Sequence, residues 1–257
     1  MSALSAENIS FSYGSRQIFD AITFEPIVPG QLTALIGPNA AGKSTLFRLI
    51  AGLLPLQSGK VHLGNIDLDS LSTRARLKRV CFMPQFFTAN AALTVFDVVM
   101  MAHKQLKGWR VSDADMIAVG TALHEAGIGH LAEAYVSELS GGQSQLVSVT
   151  QALIRNSDVY LFDEPTSALD LRHQLDVLGQ IKSAVVRRGA VGVVALHDLN
   201  LAARFADNLI LLGEGRILAQ GSPRQVLRAN AIAKTYGVAI ETSQGPREEL
   251  IVHAYAS

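Results

Sequence analysis

Residues 37–45 read Gly37, Pro38, Asn39, Ala40, Ala41, Gly42, Lys43, Ser44 and Thr45, and their types and spacing suit the holding of phosphate. Gly37, Gly42, Lys43 and Ser44 fit G-x-x-x-x-G-K-[ST]. The β-rich run "QLTALIG" leads in and the helical pattern "KSTLFRLIAGL" leads out, which is the context that motif requires. Glycines let main-chain N–H groups wrap an anion. Lys43 reaches β- and γ-phosphates as a point charge, and the Ser44 hydroxyl suits Mg²⁺. No G-x-G-x-x-G follows a strand, so a dinucleotide site is excluded.

Two more stretches carry chemistry. "VYLFDEP" sets Asp163 and Glu164 at the C-terminal end of an apolar strand, where open α/β sheets bind ligands. In phosphoryl transfer the first carboxylate holds Mg²⁺ and the second can orient and deprotonate an attacking water. "SELSGGQSQLVSVTQAL" opens a second helix on Ser140, Gly141 and Gly142, whose bared N–H groups make another anion site. One chain thus carries two helix starts suited to anions, about a hundred residues apart.

The elements that must position these residues alternate between strand and helix, predicting a largely parallel sheet. The first thirty residues alternate apolar and polar and predict antiparallel strands around a turn at Gly14. From about Phe86 to Leu139, "LTVFDVVMMAHKQL" and "SDADMIAVGTALHEAGI" have helical spacing and predict an inserted helical subdomain. The expected organisation is a single α/β domain. Residues 1–85 and 151–221 form the core and antiparallel sheet, 86–150 the helical part, and 222–257 a short extension of one helix and two strands. The basic run at 74–79 is expected to be a solvated helix face.

Composition narrows the function classes. Lys+Arg and Asp+Glu both count 22 in 257 residues, which argues against non-specific nucleic-acid binding. Cys81 is the single cysteine, so no internal disulfide forms, and its apolar surroundings predict burial. No signal peptide or 18-residue apolar run stands in the sequence. A mean hydropathy of +0.25 implies a large core plus an apolar surface that a partner covers.

Taken together, the motifs resemble those of an ATP-binding cassette (ABC) ATPase over residues 5 to 240. They come in the family's order: the phosphate loop, Gln85 in "MPQ", "LSGGQ" at 139–143, "VYLFDEP", "SALD" at 167–170, and His197. The resemblance implies a P-loop core binding ATP and Mg²⁺, with an antiparallel β-subdomain and a helical insert. It also implies roles. Tyr13 stacks on adenine, Gln85 approaches Mg²⁺ and the attacking water, and Glu164 is the general base. Asp170 aligns the site across an interface, and His197 contacts the γ-phosphate. Ser140, Gly141, Gly142 and Gln143 face the nucleotide of a second subunit packed head to tail, so hydrolysis needs a dimer. That dimer is expected to be of two copies, with a second, different cassette as the alternative. Taken singly, Tyr13, Gln85 and His197 also fit a strand aromatic, a polar strand end and a helix cap.

Within the family, "TSALDLRHQLDVL" and "ALHDLNLAARFAD" look most like importer subunits for iron siderophores, haem or vitamin B12. That implies an integral membrane permease, an extracytoplasmic binding protein, no nucleic-acid partner, and a peripheral place at the cytoplasmic face of the membrane. Permease helices are expected near Gln85, against Phe86, Phe87 and Val98. A soluble ABC ATPase acting on nucleic acid or ribosomes, an exporter subunit and a non-hydrolysing module remain the alternatives. Two departures stand out: Ala40 where the family usually has glycine, and Ser144 and Leu146 where it usually has cations. If position 40 requires a positive φ, Ala40 is strained, unless the neighbouring glycines relieve it.

Overall fold

A computed structural model describes residues 2–85, 92–105, 108 and 110–256. β1 (Leu4–Tyr13) and β2 (Arg16–Ile27) pair antiparallel around the Gly14 turn. β3 (Leu32–Ile36) runs into α1 (Lys43–Ala51). β4 (Ser58–Leu63) and β5 (Ile66–Asp67) form the next hairpin, and α2 (Thr73–Arg79) precedes β6 (Val80–Met83). α3 (Val95–Lys104), α4 (Asp113–Glu125) and α5 (Gly141–Ile154) follow, then β7 (Val159–Asp163), α6 (Leu171–Arg188), β8 (Val191–Ala195) and α7 (Leu199–Phe205). β9 (Asn208–Gly213) and β10 (Arg216–Gly221) make a hairpin. α8 (Pro223–Leu227), α9 (Asn230–Tyr236), β11 (Val238–Gln244) and β12 (Leu250–Ala256) complete the order.

The central sheet runs β10-β9-β3-β8-β7-β6, and every pair except β10–β9 is parallel. β3, β7 and β8 are buried at all five positions, as strands covered on both faces must be. A separate antiparallel sheet, β2-β1-β4-β5, packs its inner side chains (Leu4, Phe19, Val61) with Leu46 and Phe47 of α1 in one core. The opposite face of the central sheet packs Val149, Val177, Ile181 and Leu201 from α5, α6 and α7. α3, α4 and the first half of α5 close a third cluster around Val95, Val99, Val119 and Val147. α5 is continuous through residue 150 and serves both clusters.

Cys81 is buried, as expected. Three expectations change. The extension holds two helices before its hairpin, because Ser222 and Pro223 start α8 and Gly237, left-handed at φ 65°, stops α9. The basic run is not wholly solvated. Arg76 is buried, donating to the main-chain oxygens of Leu49, Ile50 and Leu68 and to Asp69. It thereby satisfies the carbonyls left open where α1 ends. Val98 is 3 % exposed inside the third cluster, so it cannot be a docking residue. Phe86 and Phe87 lie outside the described residues. Among the described residues, no helix is long and apolar enough to cross a membrane.

Candidate active site

Parallel strands deliver their following residues to one edge of the sheet. The order β3-β8-β7-β6 therefore sets four chain segments side by side: Gly37 onward after β3, His197 after β8, Asp163 and Glu164 at the end of β7, and Gln85 after β6.

The loop from Gly37 to Gly42 turns sharply into α1. Its φ values are 152° at Gly37, 62° at Ala40 and 100° at Gly42. Ala40 thus sits in the left-handed region despite its Cβ, and the neighbouring glycines do not relieve it. Close approach fixes the glycines. A Cβ on Gly37 would stand 2.2 Å from the Leu212 carbonyl oxygen, and one on Gly42 2.7 Å from the Phe19 ring. Lys43 is buried and donates to the Gly37 and Pro38 carbonyls at 2.8 and 3.1 Å. Burial holds its ammonium below the ordinary lysine value, and the Glu164 and Asp163 charges oppose that shift.

Asp163 is 2 % exposed, with Oδ1 buried and lacking a hydrogen-bond partner. Burial raises its carboxyl above the usual range, while a bond from the Ser44 hydroxyl pulls the other way. A buried carboxylate oxygen beside a hydroxyl, with no cluster of three or more His, Cys, Asp or Glu among the described residues, does not make an all-protein metal cage. It fits Mg²⁺ held by one carboxylate, one hydroxyl and substrate phosphates.

Glu164 has φ 52°, and both its carboxylate oxygens are engaged. Oε2 accepts from Gln85 Nε2 at 2.7 Å, and Oε1 meets His197 Nε2. The structure so brings Gln85, Lys43, Asp163, Glu164 and His197 together. Asn39 and Ala40 are exposed, while Pro38, Ala41, Ser44 and Thr45 are half-buried. Tyr13 stands at the β1–β2 turn, 44 % exposed and edge-on to Phe11, on the sheet whose Ile18 and Phe19 flank Gly42.

The other helix start is made differently. Ser140 caps α5 by accepting from Gln143 N, and Gln143 Oε1 accepts from Ser140 N. Gln143 therefore spends its carbonyl within its own helix. The nearest atoms to a Cβ on Gly141 or Gly142 belong to Ala168 and Leu169 of the same chain, and Ser140 and Gly141 are exposed. Asp170 is also locally committed, capping α6 through His173 N and meeting His173 Nδ1.

Two contacts escaped the motif analysis. Gln145, 4 % exposed, donates from Nε2 to the Glu164 main-chain oxygen at 3.1 Å. Tyr236 of α9 buries its hydroxyl beside the Gly37 main chain. Gln145 left a signal, a polar residue on the buried side of an apolar helix. Tyr236 left none.

Comparison with known proteins identifies the family. Residues 20–167 match the profile of the ABC transporter family. Over 239 residues the chain is 36% identical to the ferric enterobactin transport ATP-binding protein FepC of Escherichia coli, covering 91% of this chain and 87% of that one. It is 36% identical over 245 residues to the hemin import ATP-binding protein HmuV of Rhodopseudomonas palustris, covering 92% and 89%. Among solved structures, an inward-facing metal-chelate type ABC transporter aligns with a TM-score of 0.81 at 27% identity, covering 99% and 97%. A dimeric ATP-binding cassette with bound ADP and Pi aligns at 0.77 and 26% identity, covering 86% and 99%.

Proposed function

Since the chain belongs to the ABC transporter family, as an ATP-binding subunit that hydrolyses ATP, we propose that it powers an importer of the iron-siderophore, haem or cobalamin class. The observation that carries the hydrolytic part is Glu164, held between Gln85 and His197 and facing the phosphate loop through the charge of Lys43. The cargo class rests on relatives named for ferric enterobactin transport, siderophore transport and hemin import.

In this reading the main-chain N–H groups of residues 39–45 cradle the phosphates, and Tyr13 covers the adenine. Lys43 leaves the Gly37 and Pro38 carbonyls to reach the β- and γ-oxygens. Ser44 and Asp163, with Gln85 nearby, would hold Mg²⁺, which would neutralise phosphate charge. Glu164 accepts a proton from the attacking water once an oxygen is released by Gln85 or His197, and His197 then meets the γ-phosphate. Ser140, Gly141, Gly142 and Gln143 of a second copy close the site, with Asp170 beside them.

The permease side is a groove of about 340 Å³ between β6 and the α3–α5 pair, lined by Leu77, Phe82, Met83, Met101 and Gln105. Met101 is 48 % exposed there, and methionine adapts to an apolar partner. This groove replaces Val98 as the docking surface. The chain would then lie against the cytoplasmic face of the membrane, with an extracytoplasmic binding protein delivering cargo to the permease.

Glu164→Gln should lower kcat by about 10²- to 10⁴-fold while leaving ATP binding intact. That variant, tagged and purified from solubilised membranes with ATP and Mg²⁺, should carry a many-spanning membrane protein in equal amount. Recovery of ribosomes or nucleic acid instead would overturn the transport assignment and leave the ATPase standing.

A further inference from the structure

We infer that Gln145 is a positioning residue that ties the orientation of Glu164 to the state of the chain's own α5 N-terminus. The inference rests on the proposal that Ser140–Gly142 face a second copy's nucleotide, and adds what happens on this chain's side when they do.

Glu164 sits in the left-handed region, an uncommon conformation for a residue with a side chain. That backbone must be held by its neighbours. Its main-chain oxygen accepts from Gln145 Nε2 at 3.1 Å and from Ser167 N at 3.3 Å. Of these two donors, only Gln145 comes from outside the turn. Because the backbone at 164 aims the carboxylate, a donor on its carbonyl helps set where Oε1 and Oε2 point.

The same helix meets the same loop a second time. A Cβ on Gly142 would lie 3.2 Å from the Ala168 carbonyl oxygen, so α5 and residues 164–169 touch at both ends of this loop. Gln145 stands one turn inside the helix whose start, Ser140 and Gly141, is exposed, and it is itself buried. A displacement of α5 at its exposed start therefore reaches the Glu164 backbone through a single side-chain amide. The two half-sites of one chain become coupled, and ATP engaged by a neighbour's loop biases the base that serves this chain's own ATP.

Gln145→Met keeps the side-chain length and removes the donor, and Gln145→Leu does so in a shorter shape, which guards against failure of either to fold. Steady-state ATPase of the full-length chain is expected to show kcat reduced about tenfold with KM for ATP within about twofold, as for a misaimed base. The pH profile of kcat should shift, and the Hill coefficient for ATP should fall toward one. Unchanged kcat, or a raised KM with unchanged kcat, would overturn the role and leave Gln145 as packing. Gly141→Asp separates the two levels. If it abolishes hydrolysis while the Gln145 variants are neutral, the pairing across copies stands and the link fails. If it changes nothing, the pairing itself fails.

Discussion

The loop at residues 37–42 and the start of α5 both end on helix N–H groups able to receive an anion, yet they are different kinds of object. The first is a cradle made from backbone that only close neighbours can hold. Gly42 is at φ 100°, its missing Cβ is replaced by the Phe19 ring, and Lys43 is folded back onto Gly37 and Pro38. The second is an ordinary capped helix end, self-satisfied through Ser140 and Gln143, with Ser140 and Gly141 open to solvent. A concave site needs only its ligand, whereas an exposed helix start needs a surface to bring the ligand to it. That contrast is the physical argument for the proposed pairing of two copies.

The contrast breaks most visibly at its glycines. Gly42→Ala places a methyl group against a fully buried ring in a left-handed conformation. It should cost about 2–4 kcal/mol, combining overpacking with backbone strain. Urea unfolding should show that loss, and ATP binding should weaken with it. Gly141→Ala meets nothing nearer than the Ala168 methyl at 3.9 Å and lies in a helix. It should be neutral or stabilise by ~0.5–1 kcal/mol, with ATP binding by the same chain unchanged. Equal costs at the two positions would mean that the loop is as permissive as the helix end.

Charge sharpens the same comparison. Burial raises the Asp163 carboxyl above its unfolded value, so the folded chain binds that proton more tightly than the unfolded one. The stability this contributes is fully present below the ordinary aspartate value and is lost as pH rises through the folded pKa. Ionising Asp163 is therefore disfavoured by the fold in the chain without nucleotide. Asp163→Asn should raise stability near pH 7 by ~1 kcal/mol, with the gain shrinking toward acid, while hydrolysis is lost. Unfolding midpoints measured at several pH values check the sign. A variant less stable than the parent at neutral pH would mean that Ser44 and Lys43 outweigh burial. No such conflict exists at α5, whose first turn carries no acidic residue.

How much of this was legible follows from the same distinction. The phosphate loop, the strand-end carboxylates and the alternating sheet show in sequence because each is local: a spacing, an apolar run, a cap. The antiparallel sheet and the helical insert were equally visible in alternation and helical period. What stayed hidden depends on distant pairs. Arg76 read as one cation of a basic helix, and only the packing of α2 on the end of α1 shows it buried. Val98 lies on an apolar stripe that suits a partner or a core equally, and α4 and α5 decide for the core. Tyr236 reaches Gly37 from 199 residues away in sequence, with most of the fold's elements between them. Gln145 shows in sequence only as a polar residue on an apolar helix, and its partner is a main-chain oxygen that no residue type betrays.

The smallest effect bears on the departure at Ala40. Its φ of 62° costs an L-residue on the order of 1 kcal/mol relative to glycine. Ala40→Gly removes that strain but loosens the unfolded chain, which returns part of the gain. The net should be ~0.5 kcal/mol of added stability by urea unfolding. Ala40 is exposed and the backbone keeps its course, so the ATP dissociation constant should stay within about twofold. The direction matters more than the size. If glycine destabilises, Ala40 is not held left-handed in solution, and the cradle is less preorganised than the 37–42 backbone implies. If glycine stabilises without changing ATP binding, the loop already sits in its binding shape against the preference of one residue. What keeps it there is the packing at Gly37 and Gly42, which the α5 start lacks.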